Sequence, residues 1–164
     1  MREILFRGQT CRKGEMVRMD GSPVESNWVY GGIFPGQNFS DIYGYNPIEN
    51  EKHVVYSDTV GQFTGLTVKE KRWFEHDIIS VQLNGEEVYR FLIAFGNCGG
   101  VSNVKRPVGY MGFYLEPANN ETRRSVEFGL RCDPVYFIND NDYECKVIGN
   151  IHDNPELMEV GNDN

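Results

Sequence analysis

The side chains best suited to acid–base chemistry stand together at Glu75, His76 and Asp77. A histidine beside carboxylates can take up and release a proton near neutral pH. However, Asp77 also opens the apolar run "DIISV", and adjacent side chains on a strand point to opposite faces. We therefore interpret His76 as a turn residue and Asp77 as a carboxylate that accepts hydrogen bonds from nearby backbone N–H groups.

Four cysteines, Cys11, Cys98, Cys132 and Cys145, are the candidate nucleophiles and metal ligands. None forms a CxxC pair, which is the local spacing that zinc sites usually show. Cys98 lies in the glycine-rich stretch "FGNCGG", which resembles the loop around a nucleophile. The sequence places neither a helix N-terminus nor a basic residue beside it to form the thiolate. We expect four reduced thiols, no metal site, no cofactor and no catalytic residue.

The stretch "DTVGQFTGL", residues 58–66, contains two glycines and could be a ligand loop. It lacks the pattern of a phosphate-binding loop, and no helix that could hold phosphate is predicted after it. Its apolar residues fall three apart, which indicates an irregular, turning segment in which Gly61 and Gly65 let the backbone bend. We interpret it as a structural joint between two parts of the chain.

Short strands are the elements that must position these residues. The chain has 18 Gly and 7 Pro, which favour turns, and its 10 Phe, 9 Tyr and 2 Trp favour strands. Asn84-Gly85 is a strong hairpin turn between two β-rich runs, residues 77–83 and 86–95. No helical stripe exceeds about two turns. The pattern predicts a mainly β fold, a β-rich α+β barrel or roll with little helix.

An aromatic and glycine-rich stretch covers residues 28–45, "WVYGGIFPGQNFSDIYGY". It shows no sustained period, which allows two interpretations. One is a strand followed by an irregular loop whose rings cover the core. The other is an arm that docks onto another subunit, because Trp and Tyr are enriched at binding hot spots. The candidate interface residues are Trp28, Tyr30, Phe34, Phe39, Tyr43 and Tyr45.

The formal net charge of −8 disfavours nucleic-acid binding, because an acidic chain repels a phosphate backbone. The densest basic groups are small: Lys69, Lys71 and Arg72, then Arg123 and Arg124. No apolar run is long enough for a membrane helix, and the charged N-terminus "MREILFRGQT" does not fit a signal peptide. We expect a cytoplasmic protein.

Five pieces of the chain, in order, carry a resemblance to one family. They are "REILFRG" (2–8), "WVYGG" (28–32), "DTVGQFTGL" (58–66), "FEHDII" (74–79) and "VIGNIHDNPEL" (147–157). Together they resemble the YopX family of phage and prophage proteins.

The resemblance implies an N-terminal β portion, residues 1–64, followed by an SH3-like β-roll or partly open barrel, residues 65–164. It also implies a protein of uncharacterised function in a bacterial host. The chain departs from the family at His76, where the family usually has glycine; histidine is among the few other residues enriched at positive φ. The segment "TVKEKRWFE" also lacks the glycine of the usual hairpin, so its turn must close by other means.

These observations favour a non-catalytic module that binds a phage or host protein or assembles with itself. One alternative is a nucleic-acid-associated accessory module, by fold analogy alone. A second is a small enzyme with a site that the sequence does not reveal.

Overall fold

The computed structural model describes residues 4–12, 27–44, 51–99, 109–125 and 134–158. About 60% of these residues are in strands and 15% in helices, so the prediction of a mainly β fold is confirmed. The chain forms two compact units, Met1–Leu66 and Thr67–Asn164. The division into two domains at residue 64 and the SH3-like character of the second stay predictions.

Within the described residues, ten strands form two antiparallel sheets. The strands are β1 (Phe6–Gln9), β2 (Trp28–Phe34), β3 (Phe39–Gly44), β4 (Lys52–Tyr56), β5 (Gly61–Val68), β6 (Lys71–Phe74), β7 (Asp77–Leu83), β8 (Glu86–Gly99), β9 (Gly109–Pro117) and β10 (Tyr143–Asn150). The strand order is β4-β3-β2-β1-β5-β6 in the first sheet and β10-β7-β8-β9 in the second. Neither sheet closes into a barrel among the described strands.

The helices in the described residues are short, and they connect or follow the strands. Two helices of six residues each, α1 (Asn120–Ser125) and α2 (Pro134–Asn139), lie between β9 and β10. Single 3₁₀ turns occur at Ser57–Thr59 and Pro155–Leu157. None of the helices in the described part of the chain is long and apolar enough to cross a membrane.

The β7–β8 hairpin confirms the strongest local prediction. Asn84 and Gly85 both have positive φ, 54° and 87°, as a type I′ turn requires. Strand β7 has the predicted bounds, and β8 continues to Gly99, beyond the predicted residue 95. The turn sequence therefore sets the connection, and a bulge between Val81 and Gln82 shifts the register farther along the pair.

A second tight turn joins β5 to β6 without glycine. Lys69 and Glu70 take positive φ values of 50° and 67°, which is costly for residues with a side chain. A salt bridge of 2.5 Å from Lys69 Nζ to Glu144 Oε1 on β10 holds this turn. The turn that the sequence predicts to close without glycine therefore closes through two residues at positive φ and a tertiary contact.

Two predictions about local structure were wrong. Residues 61–68 form a strand, β5, rather than an irregular segment, although Gly65 has a positive φ of 89°, in agreement with the bend predicted at this glycine. Residues 28–44 form strands β2 and β3 rather than a strand and an irregular loop. The glycines hid the alternation, because a glycine on either face adds nothing to a hydrophobic pattern.

The core of the second unit lies along its central strands. The side chains of Ile78, Ile79, Val81, Phe91, Ile93 and Leu115 are fully buried. Helix α2 covers one side of them, where the Phe137 ring centroid lies 5.5 Å from that of Phe91 and 5.7 Å from that of Tyr89. Both faces of β7 are therefore buried, as its nearly continuous apolar run indicates.

Candidate functional site

The first unit carries a row of exposed aromatic side chains on one side of strands β2, β3 and β4. Large apolar side chains there remain strongly exposed: Tyr30 47%, Phe34 68%, Phe39 54%, Tyr43 42% and Val54 53%. We call this set the aromatic face. Contiguous apolar patches of this kind mark interaction sites on soluble proteins.

Strand register brings these side chains together. Gly32 of β2 lies opposite Tyr43 of β3, and Phe34 lies opposite Asp41. Asp41 in turn lies opposite Val54 of β4. Because directly opposed residues in an antiparallel pair point to the same side of the sheet, the aromatic face is continuous across three strands.

The opposite side of the same strands supplies the core of this unit. Ile42 and Val55 are fully buried there, and Ser40 is nearly so. The hydroxyl groups of Ser40 and Ser57 lie 2.8 Å apart, within hydrogen-bond distance, and the Ser40 Oγ accepts a bond from the backbone N–H of Gly36. The strands therefore have a packed inner side, and the rings on the outer side are additional to it.

One ion pair lies among the rings. Lys52 Nζ is 2.8 Å from Asp41 Oδ2. This hydrogen bond, with the attraction of the carboxylate, raises the pKa of the Lys52 ammonium, so Lys52 is charged at neutral pH. On this side of the sheet the described residues include the Asp41–Lys52 pair and also Arg7, which lies opposite Tyr30 in the β1–β2 register and is buried.

The structure brings together four of the six predicted interface residues. Tyr30, Phe34, Phe39 and Tyr43 belong to the aromatic face. Trp28 is half-buried, with the guanidinium carbon of Arg7 4.6 Å from its ring centroid. Tyr45 lies outside the described residues. Sequence reasoning missed Val54, whose outward direction follows from the β3–β4 register alone.

The residues that the sequence offered for acid–base chemistry, His76 and Asp77, lie at the turn between β6 and β7. His76 has a φ of 71°, as its place at a family glycine predicts. The Asp77 carboxylate is buried and accepts a hydrogen bond of 2.8 Å from the backbone N–H of Phe74, as predicted. The structure adds a partner that the sequence did not reveal: His152 Nε2 lies 3.3 Å from His76 Nδ1. Two of the five family pieces therefore meet in space.

The described residues contain no group of three or more His, Cys, Asp or Glu side chains arranged to hold a metal ion. His76 and His152 form one hydrogen bond, in which one ring donates and the other accepts. This contact joins the β6–β7 turn to the segment after β10. It makes the pair a structural link between two turns of the second unit.

The backbone at His76 leads to a stability prediction. We expect the variant His76→Gly to be more stable than His76→Ala by about 1 kcal/mol, because both lose the ring but only alanine keeps a Cβ at positive φ. Urea denaturation of the two variants measures the difference.

Lys71, an exposed residue of β6 with no positive φ, is the matched control. There the order reverses, because glycine in a strand interior is less stable than alanine by about 0.5–1 kcal/mol. An alanine variant at position 76 as stable as the glycine variant would contradict the prediction.

Two of the four cysteines have side chains in the described part of the chain. Neither Cys11 nor Cys145 forms a disulfide, and both are buried. Burial raises the pKa of the Cys145 thiol to about 11, so this thiol is protonated at neutral pH. Cys132 and the side chain of Cys98 lie outside the described residues.

Basic side chains gather in the second unit around Glu144. The Glu144 carboxylate lies 2.5 Å from Lys69 Nζ and 3.0 Å from Lys146 Nζ. Hydrogen bonds from Lys69, then Lys146, lower the pKa of Glu144. A pocket of about 230 Å³ lies beside them and also includes Lys71. Lys146 extends the Lys69–Lys71 group noted in the sequence, and sequence spacing alone does not reveal this.

The other basic residues noted in the sequence have different positions. Arg72 follows Lys71 in β6, and Arg123 and Arg124 lie in α1.

Comparison with known proteins identifies one family. The family model described as "YopX protein" matches residues 5–159, nearly the whole chain. The resemblance based on five sequence pieces is thereby confirmed. Comparison with curated proteins and with solved structures gave no match.

Proposed function

Because the chain belongs to the YopX family, we propose that it is a phage-type protein that acts without catalysis, as a self-assembling interaction module in the cytoplasm of a bacterial host. The partner that we propose for its aromatic face is a second copy of the chain. The observation that carries this proposal is the exposure of Tyr30, Phe34, Phe39, Tyr43 and Val54 on one side of a sheet whose other side is packed.

Hydrophobic energetics support an interface at this face. A buried side chain of this size contributes roughly 1.5–3 kcal/mol relative to one left in water. The exposed members of the aromatic face therefore forgo part of that stabilisation in the isolated chain. A surface that covers them recovers it, and closed homo-oligomers are the usual arrangement among soluble assemblies.

The charges on this face are also compatible with self-association. Copies of a chain with a net charge of −8 repel one another. The repulsion is weakest where the local charges cancel, and Asp41 and Lys52 cancel on the aromatic face. The Asp41–Lys52 pair therefore adds little net charge to an interface at this face.

The proposal that the chain is not an enzyme rests on its candidate reactive groups. The Asp77 carboxylate is buried and accepts a backbone hydrogen bond, and the Cys145 thiol is protonated at neutral pH. His76 is directed at His152. Each of these groups has a structural role in the second unit.

A nucleic-acid-associated role is the second candidate, and one observation favours it. Lys69, Lys71 and Lys146 line one pocket in an otherwise acidic chain. Such a site would bind phosphate with a strong dependence on salt. Binding of single-stranded DNA that is lost in the double variant Lys69→Met/Lys146→Met, but kept in Lys52→Met, would support this role over self-assembly.

Light scattering coupled to size-exclusion chromatography tests the proposed self-assembly. We expect a concentration-dependent mass above the 18.8 kDa of one chain at micromolar concentrations. Phe39→Ala and Tyr43→Ala should each shift the species toward the monomer, while circular dichroism stays unchanged.

Phe95→Ala is the matched control, because Phe95 is an exposed aromatic residue of the second unit. It should leave the mass unchanged. A single species of one chain's mass across the concentration range would refute self-assembly. An oligomer unaffected by Phe39→Ala and Tyr43→Ala together would show that the interface is elsewhere.

A further inference from the structure

The aromatic face contains a hollow at Gly32. A Cβ atom built on Gly32 meets no atom within 4 Å. Tyr30 and Phe34 lie on the same side of β2, two residues before and two after, and Tyr43 lies directly opposite on β3. Gly32 is therefore an open position surrounded by three aromatic residues.

The same strand carries a matching projection. Phe34 is the most exposed residue of the aromatic face, at 68%. It lies two residues from Gly32, so the projection and the hollow are about 7 Å apart along β2. A surface with a projection and a hollow side by side is complementary to itself after a two-fold rotation.

We propose that two copies of the chain pack their aromatic faces together about a two-fold axis that lies between the faces, perpendicular to β2 at the level of Ile33. Each Phe34 ring then fills the hollow over Gly32 of the other copy. This inference rests on the proposed self-assembly and gives it a geometry.

The polar residues of the face fit this arrangement. Tyr43 lies opposite Gly32 and Asp41 opposite Phe34 in the β2–β3 register. The two-fold rotation consequently sets Tyr43 of one copy over Asp41 of the other, where the phenol hydroxyl can donate to the carboxylate. The axis brings no like charges into opposition among these residues, because Asp41 faces a neutral side chain.

The size of the face sets the expected strength. Aromatic side chains bury roughly 150–250 Å² each, so the four rings with about half their surface exposed offer roughly 400 Å² per copy, to which Val54 adds a smaller area. A standard stable interface buries about 800 Å² per partner. Backbone at Gly32 and the surrounding polar groups add to the apolar area. We therefore expect a reversible dimer in the micromolar range.

Exchanging the projection and the hollow tests the proposal. Gly32→Leu fills the hollow, and Phe34→Ala removes the projection. Each variant alone should raise the dissociation constant of the dimer by about tenfold or more. The reason is that each substitution removes the Phe34–Gly32 contact from both symmetric halves of the interface. In a mixture of the two variants, one half of the dimer keeps the original contact. In the other half, the side chain introduced at position 32 faces the smaller side chain at position 34.

Native mass spectrometry of the mixture identifies the product by mass. At a protein concentration near the dissociation constant of the unmodified dimer, we expect heterodimers to form with an affinity close to that of the unmodified chain, while each variant alone is mainly monomeric. Circular dichroism and urea denaturation confirm that both variants are folded. Phe95→Ala, in the second unit, is the control that should dimerise normally.

The outcomes separate this geometry from self-assembly itself. If Gly32→Leu dimerises as well as the unmodified chain, or if the mixture stays monomeric, the proposed packing is overturned. In that case, weakening by Phe39→Ala or Tyr43→Ala still supports self-assembly through the aromatic face. A monomeric unmodified chain overturns both proposals.

Discussion

Gly31→Ala is expected to destabilise the protein by about 3 kcal/mol or more, because the new methyl group has no room. A Cβ at Gly31 would lie 1.8 Å from the carbonyl oxygen of Tyr43 and 2.6 Å from its carbonyl carbon. These are backbone atoms of β3 within the β2–β3 ladder, so they cannot rotate away as a side chain can. The substitution must separate the two strands that carry most of the aromatic face.

The neighbouring glycine provides a matched control. Gly32→Ala adds the same methyl group one residue later in the same strand, where nothing lies within 4 Å. We expect this variant to be more stable than the unmodified chain by about 0.5–1 kcal/mol, because Gly32 lies within β2 and has no positive φ. Urea denaturation of both variants, at a concentration below the onset of self-association, gives the comparison. Equal stability of the two variants would contradict the close approach of β2 and β3 at Gly31.

Phe91→Ala is expected to reduce stability by about 3–5 kcal/mol, the range for removing a buried aromatic ring from a core. Phe91 is fully buried, and its ring centroid lies 5.5 Å from that of Phe137 and 5.9 Å from that of Tyr89. Part of the loss is the transfer of the ring to water. The rest is the cavity left between β8 and α2, which neighbouring rings can only partly fill.

Phe95→Ala is the control on the same strand. Phe95 is 46% exposed, and its ring centroid lies 5.0 Å from that of Phe113. Its removal costs about 1 kcal/mol or less, because the ring is only partly withdrawn from water. Denaturant unfolding followed by tryptophan fluorescence measures both variants. Losses of similar size would mean that Phe91 is not at the centre of this core.

The local sequence was sufficient to predict structure wherever a single turn or a few neighbouring residues determine the backbone conformation. Asn84-Gly85 predicted the β7–β8 hairpin, because two residues that tolerate positive φ close a two-residue turn. The substitution of His76 for a family glycine predicted positive φ at that position, and Asp77 was predicted to cap the start of a strand. Each of these depends on interactions within a few residues.

Glycine limited what the pattern could indicate about β2 and β3. Residues 28–44 include glycines on both sides of these strands, and their alternation of inward and outward side chains is broken at those positions. Composition still identified the aromatic residues as candidates for an interface. It did not indicate that Phe34 and Tyr43 lie on the same side of a sheet, since that depends on the pairing of β2 with β3.

The sequence by itself determined the mainly β fold, the family, the β7–β8 turn and the set of aromatic residues available for binding. Only the tertiary structure decided which of these aromatic residues are exposed on the same side of a sheet, and that Val54 lies beside them. It also decided that a side chain has room at Gly32 but not at Gly31. It also brought His152 to His76 and Lys146 to Lys69 across about 75 residues of chain. The physical reason is that backbone conformation follows from nearby residues, whereas exposure and side-chain pairing follow from strand register between distant segments.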